Sequence, residues 1–132
     1  MWLLKTEPST YGYDDLEKAK RAVWDGVANP VALRNLRAMK VGDRVIVYHT
    51  GDEKAAVGLA EVVRAAYPDP KAKDERMVVV DLEARGRLPR PVPLAEIKAL
   101  AVFEDSPLVR QGRLSVVPLT AAQWKALTGG GK

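Results

Sequence analysis

The chain has 132 residues, 47% hydrophobic and 29% charged, with one histidine and no cysteine. That length suits a single domain with a real core, and the missing cysteine excludes a disulfide framework, a thiolate metal site and a cysteine nucleophile. A formal net charge of +4 leans mildly towards polyanions, without any block of like charge.

No apolar run approaches the ~20 residues of a membrane span. Lys5 follows only Met1 and the apolar Trp2, Leu3 and Leu4, too few for a secretory signal. A cytoplasmic monomer with no membrane partner is the expectation. Trp2, Leu3 and Leu4 open a short buried strand that ends at Glu7, which Pro8 holds extended. Ser9 to Tyr13 reads as loop. Asp14 to Val23 reads as an amphipathic helix, with acids in its first turn and Lys18, Lys20 and Arg21 in its last. Leu16, Ala19 and Val23 would share its apolar face. Trp24 to Ala28 forms a turn. Asn29 as N-cap and Pro30 at the first helical position then start a helix to about Met39.

Arg44 to Thr50 alternates as a strand, with Val45, Val47 and His49 on one face and Ile46 and Tyr48 on the other. A tight polar connection, Gly51 to Lys54, leads into a second strand over Ala55–Ala65. Gly58 inside it marks a bulge or a close backbone approach. Residues 71–76 form a surface loop, and Met77 to Ala84 a third strand. Pro89, Pro91 and Pro93 mark irregular or edge structure before a helix from Leu94 to about Leu100. Leu114 to Val117 is a last short strand. Thr120 and Gln123 form a capping box for a closing helix that carries Trp124. One domain over 1–128 is expected, with a frayed glycine tail at 129–132. Strands bunched in mid-chain and helices near both ends imply α+β, the sheet curling into a small closed or partly closed β-barrel with short flanking helices.

The sequence has no P-loop, no dinucleotide fingerprint and no nucleophile elbow. A single histidine makes no metal cluster, so no cofactor and no metal are expected. His49 reads either as a hydrogen-bonded core histidine or as a donor at a pocket where its strand ends. Trp24 is either a packing wedge or a platform for a planar ligand. Lys5 ends a buried strand and must bring its ammonium to solvent, a carboxylate or a ligand. Arg113-Leu114-Ser115 repeats that arrangement.

An ordered set of short motifs resembles the EVE domain family of the PUA-like superfamily. The set runs Trp2-Leu-Leu-Lys5-Thr-Glu-Pro8, Tyr13-Asp-Asp-Leu16, Trp24-Asp-Gly-Val27 with Asn29, Asn35-Leu-Arg37 and Met39-Lys-Val-Gly-Asp43. It continues through Tyr48-His-Thr50, Val57-Gly58, Tyr67-Pro-Asp69, Pro91-Val92, Leu94-Ala-Glu-Ile-Lys98 and Arg113-Leu-Ser-Val116 with Pro118. Each motif alone is common; their order over nearly the whole chain is specific.

The resemblance implies a PUA-like barrel that binds nucleic acid, DNA or RNA, without catalysis, and reads a modified base, notably a modified cytosine of DNA. A flipped base would stack on an aromatic ring while polar groups read its edge. By matching position, Trp24 is the platform or cage wall and Asn29 an edge-reading amide, with Tyr48, His49 and Thr50 lining the pocket. Lys5 and Arg113 would meet phosphate or base, Ser115 would add a hydroxyl, and Arg34 and Arg37 would face backbone phosphates. Two alternatives stand beside this: a general RNA-binding barrel, and a small nucleotide-directed enzyme or accessory protein using Lys5, His49 and Tyr48. The chain departs from the family pattern at Ala28, where a basic residue is frequent, and at Pro30, where an aromatic is frequent. Gly12 and Thr50 stand where serine is common.

Overall fold

The structure, a computed structural model, describes residues 1–129; the expected tail beyond Gly129 lies outside them. In chain order the elements are β1 (Trp2–Thr6), α1 (Tyr13–Ala19), β2 (Arg21–Trp24), α2 (Pro30–Ala38), β3 (Arg44–His49), β4 (Ala55–Pro68) and β5 (Val78–Pro93). There follow α3 (Leu94–Ala99), a 3-10 turn at Ala101–Phe103, α4 (Pro107–Arg110), β6 (Val116–Pro118) and α5 (Ala121–Thr128). The strands make one sheet in the order β2-β5-β4-β3-β1-β6. Only β1 and β3 run parallel, Lys5 lying beside Tyr48 and Thr6 beside His49. Parallel neighbours need a crossover, and the segment carrying α1, β2 and α2 supplies it.

The α+β expectation holds, but the sheet does not close into the expected barrel. Its outer strands, β2 and β6, do not pair with each other. They have four and three residues, and Pro118 on β6 has no N–H for a further ladder. The helix expected over Asp14–Val23 is also corrected. It stops at Ala19, because Lys20 turns to a φ of 66° and gives its N–H back to Leu16. Arg21 to Trp24 then extends along β5, pairing Val23 with Asp81 and Trp24 with Val80. Burial alternates accordingly: Val23 is 49% exposed and Trp24 7%. Charge at a helix end and a β-strand edge compete for the same four residues, and the available partner strand decides.

The helix caps follow the sequence closely. The Asn29 side-chain oxygen accepts from Val31 N at 2.9 Å and Ala32 N at 3.1 Å, with Pro30 at the first helical position. Thr120 and Gln123 exchange the two bonds of their capping box. Helix α4 starts the same way, Ser106 Oγ accepting from Leu108 N ahead of Pro107. β2 covers only Val80–Glu83 of β5, so the later half of β5 has a free edge, where prolines cost no ladder bond.

β4 and β5 are longer than the residue pattern suggests because irregularities let pairing continue, β4 on to Pro68 through shifts between Val62 and Tyr67 and β5 past Gly86. Registers shift between Ala56 and Gly58 and again between Leu59 and Ala60. At this irregularity the buried Tyr13 ring lies against Gly58. Its hydroxyl donates to Leu59 O at 2.7 Å or Gly86 O at 2.8 Å and accepts from Gly86 N at 3.0 Å. One side chain of α1 thus satisfies backbone groups that the bulge leaves unpaired, the kind of orphan a buried sheet cannot tolerate. Leu3, Leu4, Leu16, Leu36, Val45, Ile46, Val62, Leu82, Ile97 and Phe103 fill the rest of the core.

Candidate functional site

Two clefts meet at Lys5, where β1 ends. The larger, about 440 Å³, runs between the start of α1 and the β2–α2 turn. Trp24, Asp25, Gly26 and Val27 form one side, Thr6, Thr10 and Tyr11 another, and Ser115 closes it beside Lys5. Tyr11 meets Trp24 edge-on, with centroids 6.2 Å apart and planes at 86°. Thr6 Oγ1 donates to Tyr11 O at 2.6 Å, which fixes the loop that carries the ring. Gly26 turns the chain at a φ of 79°. Trp24 therefore fits both readings of its sequence context: it is packed into the core and it walls a cleft.

The second cleft, about 180 Å³, is lined by Lys5, Tyr48, Thr50, Lys54 and Lys98, with Leu94 and Leu108 at its base. Lys5 Nζ donates to Gly112 O at 2.9 Å and stands 5.7 Å from the centroid of the Tyr48 ring. Burial lowers the pKa of the Lys5 ammonium. Thr50 Oγ1 donates to Thr6 O at 3.3 Å.

The other expected residues lie apart from these two clefts. Both nitrogens of His49 are engaged. Nε2 accepts the Tyr13 N–H at 2.9 Å, so Nδ1 carries the proton and faces Glu53 Oε1 at 2.8 Å. His49 caps α1 from a neighbouring strand and presents no free nitrogen to a ligand. Asn29 spends its side-chain oxygen on the α2 cap. Arg37 lines a third cleft with Ala28, Pro30, Leu33, Asp74, Arg76 and Met77, and donates to Arg76 O at 2.6 Å. The two departures from the family pattern, Ala28 and Pro30, thus fall in this third cleft and not in the aromatic one. Arg34 and Arg113 are exposed and line none of the three.

The sequence context does not mark Tyr11, Thr10 or Thr6 as site residues. The signal available for Tyr11 was an aromatic inside a short polar loop, two residues before the start of α1. Among the described residues no group of three or more His, Cys, Asp or Glu could hold a metal ion, and no helix is long and apolar enough to cross a membrane.

The EVE domain model matches residues 1–129. The chain belongs to the EVE domain family. Thymocyte nuclear protein 1 of Danio rerio is 30% identical across 94% of this chain and 68% of its own length. A protein of Agrobacterium tumefaciens superposes with a TM-score of 0.92 at 34% identity, covering 97% of this chain and 90% of that one. Human THYN1, solved in complex with DNA containing 5-methylcytosine, superposes with a TM-score of 0.89 at 28% identity, covering 97% and 95%. This EVE domain therefore shares its whole fold with proteins of that kind.

Proposed function

We propose that this EVE domain binds DNA without catalysis and reads a methylated cytosine in the cleft between Trp24 and Tyr11. The observation that carries the reading is that cleft itself: an aromatic corner edged by an amine, hydroxyls and a carboxylate. A cleft of about 440 Å³ lies within the ~300–1,000 Å³ of small-ligand sites. The DNA-bound human relative supports the choice of ligand.

A flipped cytosine needs a flat apolar surface, an acceptor for its N4 amino group and donors for N3 and O2. Trp24 offers the surface. Asp25 is the acceptor, as carboxylates are for cytosine N4 elsewhere. Lys5, Thr10 and Ser115 are the donors. Val23 and Val27 on the same wall give the 5-methyl group an apolar neighbour. The second sequence reading, an enzyme built on His49, loses support because both imidazole nitrogens are already bonded.

The test is a titration of oligonucleotides that differ only in one 5-methylcytosine. Burying one methyl group contributes about 0.8 kcal/mol, so the methylated strand should bind roughly fourfold tighter. Equal affinity for the two strands at low salt would overturn base reading. Equal and salt-steep binding to RNA would instead favour a general nucleic-acid barrel.

A further inference from the structure

The smaller cleft brings Lys5, Lys54 and Lys98 together from β1, the β3–β4 turn and α3, and no carboxylate lines it. Like charges gathered from three separate elements repel one another, and none of the three lysines forms an ion pair among the described residues, although the Glu7 carboxylate lies against Gly51 and Thr50 at the edge of the cleft. Among the described residues every ion pair uses an arginine or His49; none uses a lysine. Glu7, which reaches towards Thr50, is held by the backbone and hydroxyl of Ser9, each at 3.1 Å.

Lys54 adds a second observation. It sits at a φ of 48°, one of two non-glycine residues in the left-handed region among those described. Such a conformation is strained for a residue with a Cβ. Glycine would fit without that strain. The backbone here is fixed from outside, Lys54 O accepting from Leu94 N at 2.8 Å, so the strained position aims a lysine from a rigid support. Lys5 lines both clefts, so the cationic cleft adjoins the aromatic one.

We propose that the cleft of Lys5, Lys54 and Lys98 is a phosphate subsite. It takes the backbone phosphates flanking the base held against Trp24. This rests on the base-reading function above, and it separates two jobs: Trp24 and its neighbours discriminate, while the lysines contribute affinity that salt weakens. Phosphate contacts position a strand without reading it.

The experiment compares the wild-type protein with a Lys54→Gly/Lys98→Ala double variant, using single-stranded oligonucleotides with and without one 5-methylcytosine across a salt series. Each lost phosphate contact lowers the slope of log affinity against log salt by about 0.7 on a single strand. The double variant should therefore lose about 1.4 of slope and bind more weakly. Its preference for the methylated strand should stay unchanged. Lys54→Gly relieves the strained turn, so the fold should be at least as stable by thermal melting. A Lys71→Ala/Lys73→Ala control, with the same charge loss in a loop elsewhere, should keep the wild-type slope. If the Lys54/Lys98 variant keeps both the wild-type slope and the methyl preference, the phosphate subsite is overturned and base reading survives. If both double variants lose slope equally, diffuse charge is acting and the subsite is likewise overturned. If the wild-type protein shows no methyl preference, base reading itself falls, and the adjoining subsite with it.

Discussion

Trp24→Ala is expected to weaken binding to a methylated oligonucleotide by roughly 5- to 150-fold, the equivalent of the ~1–3 kcal/mol that stacking one base contributes. The same substitution also removes a side chain that is only 7% exposed, so it should lower stability by about 3–5 kcal/mol through the cavity left behind. The two effects are separated by Trp24→Phe, which keeps an aromatic wedge against Tyr11 but offers a base a smaller face. That variant should remain folded by circular dichroism and still bind the methylated strand more weakly than wild type. Ser115→Trp acts from the end of the cleft beside Lys5, outside the core, and should block the cleft while leaving the melting temperature close to wild type. Wild-type affinity in both Trp24→Phe and Ser115→Trp would exclude this cleft as the base site.

Gly58→Ala should lower stability as much as Trp24→Ala does, without touching the cleft. A Cβ at this position would lie 2.5 Å from Cζ and 2.7 Å from Cδ1 of Tyr13. Neither the ring nor the strand can give way cheaply. The ring is fully buried, and its hydroxyl is tied to Leu59 and Gly86 across the β4–β5 irregularity. Overpacking a core costs about 1–3 kcal/mol, and each buried group that loses its hydrogen-bond partner adds about 1–3 kcal/mol. A loss of about 3–5 kcal/mol is expected, seen as a fall in melting temperature on the order of 10–15 °C. Tyr13→Phe, which removes only the hydroxyl, should lose a part of this. A Gly58→Ala protein that melts with wild type would contradict the role given to the Tyr13–Gly58 contact.

Local chemistry made much of this fold legible. The Asn29-Pro30 start, the Thr120–Gln123 box and the alternation of β3 each encode their own structure within a few residues. Gly58 was readable as a close approach because strands rarely keep a glycine without reason, although the ring that fills the space comes from Tyr13, 45 positions away in sequence. β2 was not legible. Its residues carry the charges of a helix end, and only the exposed edge of β5 turns them into a strand. The openness of the sheet escaped for a related reason: pairing between outer strands is a property of the assembled fold. Ser106-Pro107 starts α4 by the same local chemistry as Asn29-Pro30, although that helix is not among those read from the sequence.

The site divides along the same line. Lys5 is legible as a candidate because it ends a buried strand, and Ser115 because Arg113-Leu114-Ser115 repeats that arrangement. Trp24 is legible because a tryptophan in a turn suits a planar ligand, although its place at the end of β2 is not legible. His49 stands at a strand end too, yet α1 packs over it and takes its Nε2. Asn29 serves the helix it begins. Tyr11 became visible only when the loop before α1 folded against Trp24.

The central claim, that a base enters between Trp24 and Tyr11, is tested most directly through the indole N–H resonances of the protein. There are three tryptophans. The Trp2 indole donates to Asp43 at 3.0 Å on the far end of β1, and Trp124 lies buried in α5. Adding an oligonucleotide that carries one 5-methylcytosine to ¹⁵N-labelled protein should shift the Trp24 indole signal strongly and leave those of Trp2 and Trp124 nearly in place. A bound complex in which the Trp24 signal does not move would contradict the claim.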